Sequence, residues 1–209
     1  MLSAIMRLLP LPAFYPLRLG AARWRRGSVR RNVCVFLLKT WVAPAWRGRL
    51  ARHMTEVAPL DAPALRFDPI DSMVVDQIYW FGVYSYEGIV GRVWQRLCEQ
   101  SRGVLEVGGN IGIYAVLGGR AARGLYTVVE PVPVVAAALA SNLRRNGLLE
   151  RVRLLEAAVV PDATEREVAL NIPNEQREAP VGAHLVEGVE LDARSTQRVI
   201  RTRGIPFAS

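Results

Sequence analysis

Apolar and polar positions follow two different periods in the middle of this chain. Val104, Leu105 and Val107 form a short apolar run around Glu106, as in a strand buried on both faces. Gly108 and Gly109 free the backbone for a sharp turn. Ile111 to Ala122 then reads as an apolar helix, weakened in its middle by Gly118 and Gly119. Leu125 to Val129 is a second β-rich run. An Ala-rich helix over 133–146 stops at Asn146-Gly147, and Val152 to Leu155 makes a third strand. This alternation predicts an α/β domain of parallel βαβ units with right-handed crossovers. Upstream, Ile89, Val90, Val93, Trp94, Leu97 and Cys98 fall at helical spacing, with Arg92, Gln95 and Arg96 on the other face. Beyond Pro161 the pattern loosens into an edge strand over 165–172 and a polar loop over 171–182.

Charge adds a second region. The net charge of +8 is spread unevenly: residues 1–55 hold ten Arg, one Lys and no acid, which is +11, so the remainder carries −3. No apolar run in that segment approaches the ~20 residues that span a bilayer. Arg7 interrupts the first such run, and Pro10, Pro12 and Pro16 are expected to break any helix there. Three readings stay open: a basic interfacial segment on anionic lipid, an organelle transit peptide, or an extension that packs or frays. Nucleic acid ranks low as a partner, because no zinc, helix-turn-helix or RNA-recognition signature accompanies the charge. Residues 56–76, rich in Pro, Ala and Asp at their start, read as a linker, and 77–209 as the domain. Cys34 and Cys98 form no Cys-x-x-Cys pair, giving neither a zinc site nor a disulfide framework. The default compartment is therefore reducing and cytoplasmic, with membrane association left open by the basic segment.

The turn itself carries the candidate chemistry. A helix N-terminus facing a glycine turn is expected to offer unpaired N–H groups to an anionic or polar ligand. The dinucleotide fingerprint wants glycines at positions one and three and Gly or Ala at position six. From Gly108 those later positions are Asn110 and Ile113. The pattern is instead acid-x-Gly-x-Asn-x-Gly, built from Glu106, Gly108, Asn110 and Gly112. Glu130 follows 22 residues after Gly108, at the end of the next strand, where a carboxylate can accept from both hydroxyls of a ribose. Each feature alone also fits an ordinary strand-to-helix turn and a solvated acid.

Together, Gly108-Gly109-Asn110-Ile111-Gly112-Ile113-Tyr114 and Glu130-Pro131-Val132-Pro133 resemble the FkbM family of class I S-adenosylmethionine (SAM) methyltransferases. The resemblance implies a Rossmann-like sheet with flanking helices, with the helix over 87–100 packed on that sheet. It implies that Gly108, Gly109, Asn110 and Gly112 cradle the methionine end of SAM. Glu106 would orient the turn and reach the cofactor ammonium through water, Glu130 would hold the ribose, and Glu156 and Ala157 would flank adenine. Gly82, Tyr86 and Glu87 would edge the pocket. Asn142 and Asn146 match the family's Asn-x-x-x-Asn habit, although helix-surface polarity and capping explain them as well. The strand-like Val-x-x-Val-x-Leu-Asp within 184–193 resembles the strand before the family's fourth core strand. The implied activity is O-methylation of a sugar or other small hydroxylated acceptor, and no residue is assigned to a metal.

The resemblance covers roughly residues 78–200. The family's Lys-Ile-Asp-x-Glu-Gly-like motif is not found, so the C-terminal strands of the fold are expected to be missing. No residue is assigned as general base, since neither His53 nor His184 sits beside the turn. The alternatives are a truncated or inactive SAM-binding fragment and a basic peripheral-membrane module. A nicotinamide-dependent oxidoreductase ranks last.

Overall fold

The computed structural model describes residues 10–24, 28–46, 49–50, 53–87, 89–161, 166–172, 179, 184–185 and 198–207. The chain divides into two compact units, Met1–Gly91 and Arg92–Ser209. That division follows Gly91, whereas the sequence suggested breaks after 55 and 76.

The first unit is helical. A 3-10 turn at Leu11–Phe14 leads into α1 (Tyr15–Arg23), then α2 (Val29–Leu37). A π-helical turn at Leu38–Val42, α3 (Ala43–Trp46) and, later, α4 (Met73–Phe81) and a 3-10 turn at Val83–Ser85 follow. The prolines do not prevent these helices, contrary to expectation. Proline falls at the N1 or N2 position both of the 3-10 turn and of α1, where an N–H would lack an intrahelical partner anyway. Ser28 caps α2 by accepting from the Arg31 N–H. Leu11, Phe14, Cys34, Leu38, Val42 and Trp46 are buried. Arg18 is a structural cation: Nε donates to the Tyr79 carbonyl at 2.8 Å and Nη2 to the Ala58 carbonyl at 2.6 Å. The expected linker carries a β-bridge between Val57 and Phe67, and both of those residues are fully buried.

The second unit contains the predicted α/β core. α5 (Val90–Gln100) spans the division, followed by β1 (Gly103–Val107), α6 (Ile113–Ala121), β2 (Leu125–Val129), α7 (Pro133–Arg145) and β3 (Val152–Leu155). The three strands form a parallel sheet in the order β1-β2-β3. The register sets Glu106 beside Val128 and Val128 beside Leu154. Helix α7 ends as read, with Asn146 as C-cap and Gly147 left-handed.

Three details differ from expectation. Strand β1 is not buried on both faces: Leu105 and Val107 are 47% and 55% exposed, and Glu106 is its buried residue. On α5, Val93 and Leu97 are about half exposed, whereas Cys98 is buried. A Cβ on Gly118 of α6 would collide with Trp94 and Cys98, so those two side chains form the close contact and the glycine permits it. Finally, residues 166–172 are not an edge strand. β4 (Ala158–Val160), β5 (Arg166–Ile172), β6 (His184–Leu185) and β7 (Arg198–Pro206) form a second sheet in the order β4-β7-β5-β6. β5 lies inside that sheet, antiparallel to both β7 and β6. Asn171 and Ile172, which the strand and loop readings shared, belong to β5. Most of the predicted loop beyond them, and of the predicted strand after Leu185, lies outside the described residues.

Candidate functional site

The site grows from the C-terminal ends of β1, β2 and β3. Leaving β1, the chain turns through Gly108 (φ 80°), Asn110 (φ 48°) and Gly112 (φ 87°), all in the left-handed region that glycine and asparagine tolerate best. Two of the three glycines answer to packing. A side chain on Gly109 would run into Val128 and Leu139, and one on Gly112 would lie 3.0 Å from Leu139 Cγ. Gly108 is different, because nothing lies within 4 Å of where its Cβ would stand. Its surroundings are open space beside bare backbone, which a ligand can approach closely.

The N–H groups of the turn itself, from Gly108 to Gly112, are already used within the protein. Gly108 and Gly109 both donate to the Val129 carbonyl, at 2.8 and 3.1 Å, and Gly112 donates to the Gly109 carbonyl at 2.9 Å. Asn110 N–H donates to Glu130 Oε2 at 2.8 Å, and Ile111 N–H to Asn110 Oδ1 at 2.7 Å. A phosphate needs such donors. Carbonyl oxygens, each with two lone pairs, suit a cationic group such as an ammonium.

Glu130 braces the turn. Its backbone N–H donates to the Leu155 carbonyl at 3.0 Å, tying the ends of β2 and β3 together. Its carboxylate receives the Asn110 N–H on one oxygen and the Val132 N–H, at 3.0 Å, on the other. Burial pushes its pKa up, and these two hydrogen bonds oppose that push. A carboxylate has about four acceptor positions, and these bonds use one on each oxygen of a residue only 5% exposed.

Asn142 braces the turn from α7. It is fully buried, and its Nδ2 donates to the Ile111 carbonyl at 2.7 Å. Surface polarity is therefore not its role. Asn146 Nδ2 in turn donates to the Asn142 carbonyl at 2.8 Å.

The Glu106 carboxylate bonds across the sheet. Its Oε2 accepts the Tyr126 hydroxyl at 2.6 Å, and Trp94 Nε1 donates to that hydroxyl at 3.2 Å and to the Tyr114 carbonyl at 3.1 Å. A strand residue on the helix-covered face buries its carboxyl group and must find a donor there. Burial raises its pKa from the ordinary 4.5 to about 7. The Tyr126 bond works against that rise and the nearby Glu130 charge adds to it. The Tyr126 phenol and the Cys98 thiol are also pushed up, chiefly by burial, with the Glu106 charge adding to each.

Glu156 and Ala157 follow β3 at the same end of the sheet, Glu156 exposed and Ala157 buried. Gly82, Tyr86 and Glu87 belong to the first unit. There Gly82 is left-handed against Asp61, whose carboxylate accepts the Val83 N–H at 2.7 Å. His53 also belongs to the first unit, its ring edge-on to Trp46, and the His184 side chain lies outside the described residues. Among the described residues no group of three His, Cys, Asp or Glu could hold a metal.

Sequence reasoning missed the hydrogen bonds of Tyr126 and Trp94, and singled out Asn142 only as a match to the family's Asn-x-x-x-Asn habit. A signal existed for the first: an acid in the middle of a predicted buried strand demands a donor from the neighbouring strand.

No family model matches the chain, and no curated protein matches it. Among solved structures it is similar to an O-methyltransferase from Bacillus cereus in complex with SAH, at 25% identity and a TM-score of 0.31. It is also similar to cofactor-bound Rv0187 from MTB, at 29% identity and a TM-score of 0.31. The matches cover 33% of this chain in both cases, and 33% and 34% of those chains. The chain thus spans about a third of the length of either structure. Scores this low leave the functional reading to the geometry of the turn.

Proposed function

We propose that the turn from Gly108 to Gly112, with Glu130, binds S-adenosylmethionine, and that the chain serves SAM-dependent O-methylation of the FkbM type. The acceptor in this reading is a sugar or another small hydroxylated molecule. The observation that carries it is the turn itself. Gly108 is left-handed with open space where a Cβ would point, and it stands beside a carboxylate that keeps unused acceptor positions. The turn's N–H groups are bound within the protein, so the turn itself lacks donors for a pyrophosphate, while its carbonyl oxygens can accept from the ammonium of an amino-acid end whose carboxylate finds its donors elsewhere.

In this reading the backbone of Gly108, Gly109, Asn110 and Gly112 receives the amino-acid end and Glu130 accepts from the ribose hydroxyls. Glu156 and Ala157 border the base, at the end of the strand that Glu130 ties to β2. SAM supplies an electrophilic methyl group on sulfur. The protein's contribution is to fix the position of that carbon relative to an acceptor oxygen, since orientation alone supplies much of the rate in such displacements. Asn142 and Glu130, which hold the turn from two elements, provide the rigidity that such positioning needs. Glu106 supports the sheet beneath the turn and is not assigned a ligand contact.

The test is transfer of isotopically labelled methyl from SAM to a panel of sugars and small alcohols. Label appearing in a hydroxylated acceptor supports the reading. SAM binding without label in any acceptor removes the transfer step, and absence of binding removes the whole reading.

A further inference from the structure

We infer that the outward face of α2 is a docking surface for anionic lipid. This inference stands apart from the SAM site and rests on the first unit alone. Val29, Val33 and Phe36 are 77%, 50% and 61% exposed. At 100° per residue these positions form a single ridge along α2. The opposite side of the helix packs inward through Cys34 and Leu38, and Arg31 Nε donates to the Ala21 carbonyl at 3.0 Å. So α2 is apolar on two sides, and its folded unit covers only one of them.

A cation borders the exposed ridge. Arg30 lies on its flank, its guanidinium 5.7 Å from the centre of the Trp24 ring, whereas the Lys39 ammonium, in the π-helical turn that follows, lies 5.6 Å from the Phe81 ring. Trp24 is itself 39% exposed, and on α1 Tyr15 and Leu19, one turn apart, are 41% and 49% exposed. Throughout residues 1–55 no acid offsets the charge. An apolar ridge with a cationic border and aromatic neighbours fits the interface of an anionic bilayer. There the ridge enters the acyl boundary and the cations meet headgroups. Nucleic acid would use the cations but leave the valines and Phe36 in water. Among the described residues no helix is long and apolar enough to cross a membrane, so the contact is peripheral.

The experiment is co-sedimentation of the full chain with vesicles of phosphatidylcholine alone and of phosphatidylcholine mixed with phosphatidylserine. The wild-type chain should pellet with the anionic vesicles and much less with the neutral ones. Raising NaCl from about 0.1 M to about 0.5 M should release most of it, because screening shortens the reach of the cations. The double variant Val33→Ser, Phe36→Ser should lower the partition coefficient at least about tenfold, given two large apolar side chains withdrawn from burial. Both positions are exposed, so the thermal unfolding curve should not move. Arg30→Glu should weaken binding and flatten its salt dependence. Equal pelleting with neutral and anionic vesicles would overturn the inference, as would an unchanged partition coefficient in the double variant. A wild-type dimer that the double variant dissociates would give the ridge to a second copy of the chain. Salt-sensitive duplex binding that survives the double variant, without vesicle binding, would give the basic segment to nucleic acid.

Discussion

Replacing Glu106 by glutamine should make the second unit more stable above neutral pH, although it removes a charge that accepts a short hydrogen bond. The wild-type carboxyl is buried at 7% exposure, and its pKa is raised from 4.5 to about 7. Between those values the folded state holds a proton that the unfolded state has lost. Folding stability therefore falls as pH rises from about 4.5, and it levels off above about 7. At about 1.4 kcal/mol for each pH unit between the two pKa values, the full loss is about 3 kcal/mol. Glutamine keeps the shape and an oxygen for the Tyr126 hydroxyl without the cost of a buried charge. The variant should thus exceed wild type by about 1 kcal/mol or less at pH 5 and by about 3 kcal/mol at pH 8. Urea unfolding should be followed by amide hydrogen exchange at β1 and β2, so that the second unit is read separately from the first. A stability difference that does not change with pH would refute the reasoning. So would a variant less stable than wild type at pH 8.

Other substitutions separate packing from ligand space. Gly109→Ala forces a methyl into Val128 and Leu139 and should cost about 1–3 kcal/mol in a denaturant melt. Gly108→Ala meets no neighbour and should cost only the left-handed strain of about 1–2 kcal/mol, while its methyl enters the open space and weakens SAM binding. Asn142→Leu leaves the Ile111 carbonyl without its donor and should cost about 1–3 kcal/mol, with faster hydrogen exchange across residues 108–112. Tyr126→Phe removes the bond that holds the Glu106 pKa down. That pKa, followed by carboxyl NMR, should rise further.

The parallel core was legible because its signals are local. Apolar runs, the glycine turn and the Asn146-Gly147 stop each report on a few consecutive residues, and β1 to β3, α6 and α7 formed where these signals lay. The bracing of the turn was less legible, because it depends on which residues meet across the sheet and from α7. Tyr126 reaches Glu106 through parallel register, and Asn142 reaches Ile111 over 31 residues. Periodicity also overstated the packing of α5, since a helical apolar stripe shows which side could be buried and not whether anything covers it. The prolines near the N-terminus misled for a positional reason: a residue that breaks a helix interior is welcome in the first turn. The interior place of β5 followed from β7, whose strand character no alternating pattern announced.

The most direct measurement is calorimetric titration of the chain with SAM and, in parallel, with NAD, repeated on Glu130→Ala and Gly108→Ala. Both variants must first show a native unfolding transition. The account predicts that the wild-type chain binds SAM and not NAD. Loss of the Glu130 carboxylate should cost about 1.5–3 kcal/mol of binding, the range for a hydrogen bond to a charged group, and the Gly108 methyl should also weaken it. A folded wild-type chain that binds NAD in place of SAM, or folded variants that both bind SAM as tightly as wild type, would contradict it.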